Sequence, residues 1–176
     1  MPFSIRQASG ADSPGIVDVI RAVFDEYEFT WEPEGYHADL YALDAHYDGV
    51  CDRFFVAEIE GRIVGTIALE TFEPIPGVSG SVPVIDGFYR VAGSDCSLER
   101  LYVHPDARRQ GVGQALTEHI IALAQAEGRK QMEIWSDKRF GDAHRLYGRF
   151  GAAVVGDRIC HDPDQSPEWG LAIPLA

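Results

Sequence analysis

A glycine-containing segment between a predicted strand and a predicted helix constrains this chain more than any other feature. The strand-like run 97–103 leads into the segment 108–113, which reads Arg-Arg-Gln-Gly-Val-Gly, and an amphipathic stretch of helical period follows. The start of a helix leaves its first backbone N–H groups without partners and carries partial positive charge. The segment therefore predicts an anion-binding site at the beginning of a helix.

The composition of this segment suits a diphosphate group. Gly111 and Gly113 have no Cβ atoms that would keep the anion away from the amides, and Arg108 and Arg109 add charge-assisted donors. A nucleotide-binding protein could use a similar segment. The chain lacks the Gly-Lys-Ser/Thr of a P-loop and an opening βαβ glycine fingerprint, so that alternative is disfavoured.

Two motifs in this order resemble those of the GNAT superfamily of N-acetyltransferases, over Leu98 to Gly151. The first is Arg/Gln-x-x-Gly-x-Gly/Ala between a strand and a helix, which segment 108–113 matches. The second is an Ala-x-x-x-Tyr helix that runs into a Phe-Gly turn, which Ala143, Tyr147 and Phe150 match. Two motifs in the right order are more specific than one.

The resemblance implies both a fold and an activity. The fold is an α/β (α+β) arrangement with a mixed central sheet of about six to seven strands, flanked by about four helices and splayed at the coenzyme site. The activity is transfer of an acetyl group from acetyl-CoA to a primary amine by direct attack in a ternary complex. The alternative is a catalytically silent acyl-CoA-binding sensor or partner subunit with the same fold. The resemblance also allows a homodimer.

Hydrophobic periodicity and turn residues predict the element order βααβββαβαββ. The predicted strands are 3–8, 53–59, 62–69, 97–103, 131–135, 152–155 and 168–175, and the predicted helices are about 13–27, 36–47, 111–127 and 142–150. Proline and glycine interrupt residues 74–95, which we interpret as an enlarged connection with a short edge strand near 87–91.

The resemblance also assigns coenzyme contacts. Main-chain groups of the strand at 101–103 pair with the pantetheine, and the pyrophosphate lies on the amides from Arg109 to Gln114. The predicted coenzyme-binding residues are Leu101, Tyr102, Val103, Arg108, Arg109, Gln110, Gly111, Val112, Gly113, Gln114 and Ala143. The family commonly has an asparagine where this chain has Phe140, so its hydrogen bond must be lost or come from Asp137, Ser136 or Asp142.

Two residues are the predicted catalytic groups. By resemblance, the Tyr147 hydroxyl protonates the departing thiolate, although a tyrosine here can also be only a core aromatic. Glu99 matches a position where several members have a carboxylate that acts as base through water, and alternation places it on one face with Leu101. A surface ion pair is an equally good interpretation of Glu99. Among the cysteines, only Cys96 is placed to raise a covalent alternative.

By resemblance, the acceptor cleft is formed by the first two helices and their loop, the enlarged connection over 74–95 and the final hairpin. Carboxylates and aromatic rings alternate in the loop between these helices, a combination that suits a cation, although solvated charges and edge aromatics have the same pattern. The residues predicted to bind the acceptor are Glu28, Trp31 and Tyr36, and the further acidic residues nearby are Glu26, Glu32, Glu34 and Asp39.

Composition bounds the partners. A chain of 176 residues suits a single domain, 1–176, and a net charge of −13 disfavours nucleic acid and anionic membranes. The same charge attracts a cationic acceptor such as a small-molecule or peptide amine. Cys51, Cys96 and Cys160 are too widely spaced for a disulfide framework or a metal site, so we expect no metal. The N-terminus does not resemble a secretion signal, which predicts a cytoplasmic location.

Overall fold

The computed structural model describes residues 2–176 and confirms the predicted mixed α/β architecture. The strands are β1 (Ser4–Gln7), β2 (Asp52–Ile59), β3 (Arg62–Thr71), β4 (Val84–Ile85), β5 (Phe88–Tyr89), β6 (Cys96–Val103), β7 (Gln131–Asp137), β8 (Ala153–Ile159) and β9 (Pro167–Pro174). The α-helices are α1 (Ser13–Glu26), α2 (Ala38–Tyr41), α3 (Leu43–His46), α4 (Val112–Ala126) and α5 (Gly141–Arg149). Seven strands form one sheet in the order β1-β2-β3-β6-β7-β9-β8, and β4 and β5 form a separate hairpin.

The chain divides into two compact units. The first contains the residues up to Glu70 together with Arg100–Ile120, and the second contains Thr71–Glu99 together with Ile121–Ala176. In the first unit, β1 pairs antiparallel with β2, and β2 pairs antiparallel with β3. The apolar face of α1 is buried in a core with residues of α2, α3, β2 and β3. The members of that core are Ile16, Ile20, Phe24, Leu40, Leu43, Phe54, Val56 and Ala68.

The predicted helix over 36–47 is two helices of four residues each. Ala42, with φ −136° and ψ 53°, leaves the helical region and separates α2 from α3. The break buries both Leu40 and Leu43. It also brings the Asp44 carboxylate to the Gly10 amide, which donates to Oδ1 at 2.9 Å. Tertiary contacts therefore override the helical period that the sequence shows.

The second unit contains the other half of the sheet. β6 pairs parallel with β7, and β9 lies antiparallel between β7 and β8. Among the described residues, the pairing of β6 with β7 covers only Cys96 with Met132 and Ser97 with Glu133. This short pairing agrees with the predicted splay. None of the helices within residues 2–176 combines the length and the apolar character needed to cross a membrane.

The enlarged connection over 74–95 is attached to β7 through a buried carboxylate. The Glu133 side chain is 2% exposed and accepts from Arg90 Nε at 2.5 Å and from the Val91 amide at 2.7 Å. The Arg90 guanidinium also lies over the Phe72 ring, 4.6 Å from its centroid. Because burial of a carboxylate is costly unless donors surround it, these bonds determine where the connection lies within this unit.

We expect Glu133→Gln to lower the free energy of unfolding by about 2 kcal/mol, since it removes the charge from two buried hydrogen bonds. Urea denaturation measures the change. Asp157→Asn is the matched control, because Asp157 pairs with Lys138 at 2.8 Å but is 61% exposed, and its loss is expected to stay within about 0.5 kcal/mol. Equal losses in the two variants would contradict the anchoring role of Glu133.

Candidate functional site

The predicted anion site lies in the first unit, where β6 is followed by a turn and then by α4. The Gly111 carbonyl accepts from the Ala115 amide at 3.0 Å, which marks the first turn of the helix. Arg109 and Gly111 have positive φ angles of 61° and 82°. A Cβ atom on Gly111 would meet no atom within 4 Å, so the surface in front of the helix start is open.

The start of α4 has the chemistry of an anion cradle. The amides of Val112, Gly113 and Gln114 precede the first residue that could bond within the helix, and the peptide dipoles place partial positive charge there. Arg109 and Gln110 are exposed beside them. The Thr117 hydroxyl donates to the Gly113 carbonyl at 2.8 Å and supports the first turn. Amides without helical partners and an adjacent guanidinium suit a diphosphate.

Arg108 is bound to α1. Its Nη1 atom lies 2.8 and 2.9 Å from the two carboxylate oxygens of Glu26, and both side chains are more than one third exposed. Exposed ion pairs contribute little free energy, so an anion at the cradle can compete for this guanidinium. Glu26, which we predicted among the acidic residues near the acceptor-binding residues, is thus partly neutralised.

A backbone irregularity interrupts β6 at Arg100. Its φ angle is +53°, and its carbonyl accepts from the buried Thr66 hydroxyl at 2.8 Å. The alternation that we predicted from Glu99 to Leu101 does not continue through a residue in this conformation, because the pleat is broken there. Residues 101–103 are half-buried and lie in the first unit, as do the cradle residues 108–114.

The side chain of Arg100 connects β6 to α2, a contact that sequence reasoning missed. Nε and Nη2 donate to the Asp39 carboxylate at 3.2 and 2.7 Å, and Nη2 also donates to the Tyr36 carbonyl at 2.7 Å. The Tyr47 hydroxyl donates to Asp39 at 2.6 Å. Burial lowers the pKa of Arg100, but the Asp39 carboxylate outweighs it, so the net pKa is raised and the guanidinium stays charged. A charged residue within an apolar strand was the available signal.

The predicted acceptor residues also lie in the first unit. Glu28 is exposed with a φ of +58°, whereas Trp31 and Tyr36 are half-buried and pack against the core. The Trp31 indole nitrogen donates to the Tyr41 hydroxyl at 3.1 Å. Glu32 accepts from the Tyr36 amide at 2.9 Å. Glu32, one of the acidic residues predicted near the acceptor, therefore stabilises the local backbone.

His37 is fully buried among these rings. Trp31 stacks on it with centroids 3.8 Å apart, and Phe24 and Tyr36 meet it edge-on. Nδ1 accepts from the Glu32 amide at 3.1 Å, so the proton of the neutral ring is on Nε2, which has no hydrogen-bond partner within residues 2–176. Burial, and next the charge of Arg100, lower the pKa of His37 from 6.5 to about 4.

Acid is expected to destabilise the first unit through His37. Between pH 6.5 and about 4 the unfolded chain binds a proton at this ring that the folded chain does not, so stability falls as the pH falls. The loss reaches about 2 kcal/mol by about pH 5. Urea denaturation at pH 7 and pH 5 measures it, and His37→Asn, which keeps an acceptor for the Glu32 amide but does not titrate, is the control. An equal pH dependence in both proteins would contradict the prediction.

The predicted catalytic residues lie in the second unit. Tyr147 is on α5 and 3% exposed, Ala143 is one turn earlier and half-buried, and Glu99 is half-buried near the middle of β6. The structure thus brings Glu99, Ala143 and Tyr147 into one unit and the cradle and acceptor residues into the other.

The three residues that could replace the asparagine expected at position 140 each have a hydrogen-bond or ion-pair partner. Asp137 accepts from the Arg139 backbone amide and guanidinium at 2.7 to 2.9 Å. The Ser136 hydroxyl lies 3.0 Å from His144 Nε2. Asp142 pairs with Arg145 on the exposed side of α5. Turning Ser136 toward the coenzyme is the least costly of these changes, because its hydroxyl can rotate and no ion pair is lost.

Cys96 has the environment of an unreactive thiol. It is fully buried, and its Sγ lies 3.6 Å from the Gln131 carbonyl. Burial, followed by the charge of Asp95, raises the pKa of this thiol to about 12. Because the thiolate is the nucleophile of cysteine chemistry, a protonated buried thiol disfavours the covalent alternative.

Comparisons with known proteins identify the family of this chain. The model of the acetyltransferase (GNAT) family matches residues 16–152. Over 81 residues the chain is 41% identical to a mycothiol acetyltransferase from Sanguibacter keddieii, a match that covers 43% of this chain and 25% of that protein. The chain thus spans about a quarter of the length of this curated relative.

Solved structures share the fold. A GNAT acetyltransferase from Staphylococcus aureus Mu50 has a TM-score of 0.74 at 15% identity, covering 99% of this chain and 100% of that one. The ribosomal-protein-S18-alanine N-acetyltransferase from Escherichia coli has a TM-score of 0.69 at 18% identity, covering 99% and 95%. These identities show the fold alone, whereas the family model spans both motifs. The chain belongs to the acetyltransferase (GNAT) family.

Proposed function

We propose that this chain transfers an acetyl group from acetyl-CoA to a primary amine, by direct attack in a ternary complex. The observation that carries the proposal is the anion cradle at the start of α4, together with membership of the GNAT family. The cradle supplies amides without helical partners, a positive helix end and exposed guanidinium groups, which suit the diphosphate of coenzyme A.

The coenzyme contacts of the proposal divide between backbone and side chains. Amides from Arg109 to Gln114 bind the pyrophosphate, and main-chain groups of residues 101–103 pair with the pantetheine. Arg108 leaves Glu26 when the anion is present. Ala143, a small residue on α5, allows the coenzyme to approach. We attribute binding mainly to backbone groups, so single side-chain losses should weaken it only modestly.

The proposed chemistry needs three events. The amine nitrogen attacks the thioester carbonyl carbon, the carbon–sulfur bond breaks, and the amine loses a proton. Glu99 accepts that proton through water, and the Tyr147 hydroxyl donates a proton to the departing thiolate. A backbone amide of residues 101–103 stabilises the oxyanion. The products are an N-acetylated amine and free coenzyme A.

Direct attack is favoured over a covalent acetyl-enzyme. The buried and protonated thiol of Cys96 is a poor nucleophile, and moving it to a thioester would require opening the end of β6 that pairs with β7. An amine that enters beside bound acetyl-CoA needs no such change. Burst-phase release of coenzyme A in the absence of acceptor would count against this mechanism.

The acceptor is proposed to be a cationic amine, either a small molecule or a peptide. The net charge of −13 attracts cations, and Glu28, Trp31 and Tyr36 place a carboxylate and two rings in one segment. Glu28 is exposed and has a left-handed conformation directly after the end of α1. We assign it the contact with the incoming ammonium group, which releases one proton to water before the neutral amine attacks.

Thiol release from acetyl-CoA tests the proposal across a panel of polyamines, amino sugars, arylalkylamines, amino acids and short peptides. Calorimetry with coenzyme A measures binding separately. Release with one amine class supports the transferase and identifies its acceptor class. Binding of coenzyme A without release for any amine would overturn the transferase proposal and favour a silent acyl-CoA-binding protein.

A further inference from the structure

A buried ion pair joins the middle of β6 to α2 within the first unit. The side chains of Arg100 and Asp39 are 11% and 16% exposed, and the guanidinium makes two bonds to the carboxylate and one to the Tyr36 carbonyl. Desolvation of two charges is costly, and a buried pair is weak evidence for stability by itself. The planar fork of arginine does, however, determine the relative position of the groups that it bridges.

The same residue adopts an irregular backbone. A φ of +53° is uncommon outside glycine and costs conformational free energy, so surrounding bonds must maintain it. The Thr66 hydroxyl, which is fully buried, donates to the Arg100 carbonyl at 2.8 Å from β3. Irregularities of this kind change the direction of the strand next to functional sites. Arg100 is therefore constrained at its backbone and at its side chain.

The two ends of this contact carry groups with proposed roles. Tyr36, proposed to bind the acceptor, offers its carbonyl to the guanidinium, and its ring centroid lies 4.9 Å from the Arg100 Cζ atom. Leu101, proposed to bind the coenzyme, directly follows Arg100. The Tyr47 hydroxyl donates to Asp39 and orients the carboxylate. The Arg100 guanidinium thus connects Tyr36 and α2 to β6, the strand that is proposed to bind the coenzyme.

We propose that Arg100, oriented by Asp39, is a positioning residue that sets the acceptor segment, residues 28–41, against β6 for acetyl transfer. This inference rests on the proposed function. Arg100 does not contact the reacting atoms, and it acts through the Tyr36 carbonyl and α2. Its loss should therefore affect the acceptor more than the coenzyme.

Arg100→Lys separates charge from geometry. The ammonium group keeps the charge, but it cannot bridge both Asp39 oxygens and the Tyr36 carbonyl with a rigid fork. We expect the KM for the acceptor to rise by about tenfold, with the Kd for coenzyme A unchanged within about threefold. Asp39→Asn should act in the same direction. Tyr47→Phe removes only the bond that orients Asp39 and should give a smaller change in that direction.

Hydrogen exchange measured by mass spectrometry tests the position of the segment without turnover. We expect amides of residues 31–41 to exchange at least tenfold faster in Arg100→Lys and Asp39→Asn than in the wild type. Arg6→Lys is the matched control, because Arg6 pairs with Asp12 and Glu58 in the same unit, away from this segment. It should leave both the exchange of 31–41 and the acceptor KM unchanged.

The outcomes separate this inference from the proposed function. Unchanged exchange at 31–41 in both variants overturns the inference, as does faster exchange with an unchanged acceptor KM. If Arg100→Lys does not fold, the same comparison with Tyr47→Phe decides. A wild-type chain that acetylates no amine overturns the proposed function instead, and the exchange measurement then decides the positioning role alone.

Discussion

The Tyr147→Phe variant is expected to bind coenzyme A as the wild type does and to transfer acetyl groups about 100-fold more slowly. The change removes only the hydroxyl that we propose to protonate the departing thiolate. Without a positioned acid the thiolate must leave as an anion, which raises the barrier for breaking the carbon–sulfur bond. Because Tyr147 is 3% exposed, the phenylalanine ring fills the same buried space and keeps its packing contacts.

Steady-state kcat and calorimetric Kd measure this effect. Tyr89→Phe is the matched control, since Tyr89 lies in the same unit and is 48% exposed. Its hydroxyl has no role in the proposed mechanism, so both constants should match the wild type. A kcat for Tyr147→Phe within about twofold of the wild type would rule out the proposed acid and leave Tyr147 as a core aromatic.

The Gly111→Val variant is expected to bind coenzyme A about 100-fold more weakly, which corresponds to about 2.7 kcal/mol. Two causes act together. A β-branched residue resists a φ of +82°, so the start of α4 must shift. Its side chain also enters the open space where the diphosphate is proposed to lie. Calorimetric titration with coenzyme A measures the loss.

Gly61→Val controls for backbone strain. Gly61 has a φ of +80° in the turn between β2 and β3, and a Cβ there would also meet no atom within 4 Å. The two variants should lose similar amounts of stability in thermal melts, because the conformational cost is the same. Only Gly111→Val should lose affinity. Equal affinity in both would contradict an anion site at the start of α4.

The local features of this chain could be predicted because their causes are local. The helix α4 follows from its apolar period, and the positive φ of Gly111 follows from a glycine placed between a strand and that helix. Segment 108–113 and the Ala-x-x-x-Tyr motif that begins at Ala143 sufficed, in this order, to predict the GNAT family and its mixed sheet. The family model and the strand order confirm both predictions.

Other features depend on residues that are distant in the chain. Arg100 and Asp39 are separated by 61 positions, and no periodicity relates them. The split between α2 and α3 likewise depends on burying Leu40 and Leu43 together. Nothing in the local sequence distinguishes His37 from an exposed polar residue, whereas in the structure three aromatic rings contact it. Each outcome results from packing, which the pattern of a single segment does not contain.

The sequence by itself thus determined the family and the seven strands of the main sheet, and it predicts the anion cradle, because backbone hydrogen bonding and apolar periodicity act over a few residues. Only the tertiary structure decided which charged side chains form ion pairs with each other. In the tertiary structure Glu26 pairs with Arg108, and Asp39 pairs with Arg100. Cys96 is buried where its thiol stays protonated. The physical reason is that pairing and desolvation depend on the three-dimensional surroundings of a group rather than on its neighbours in sequence.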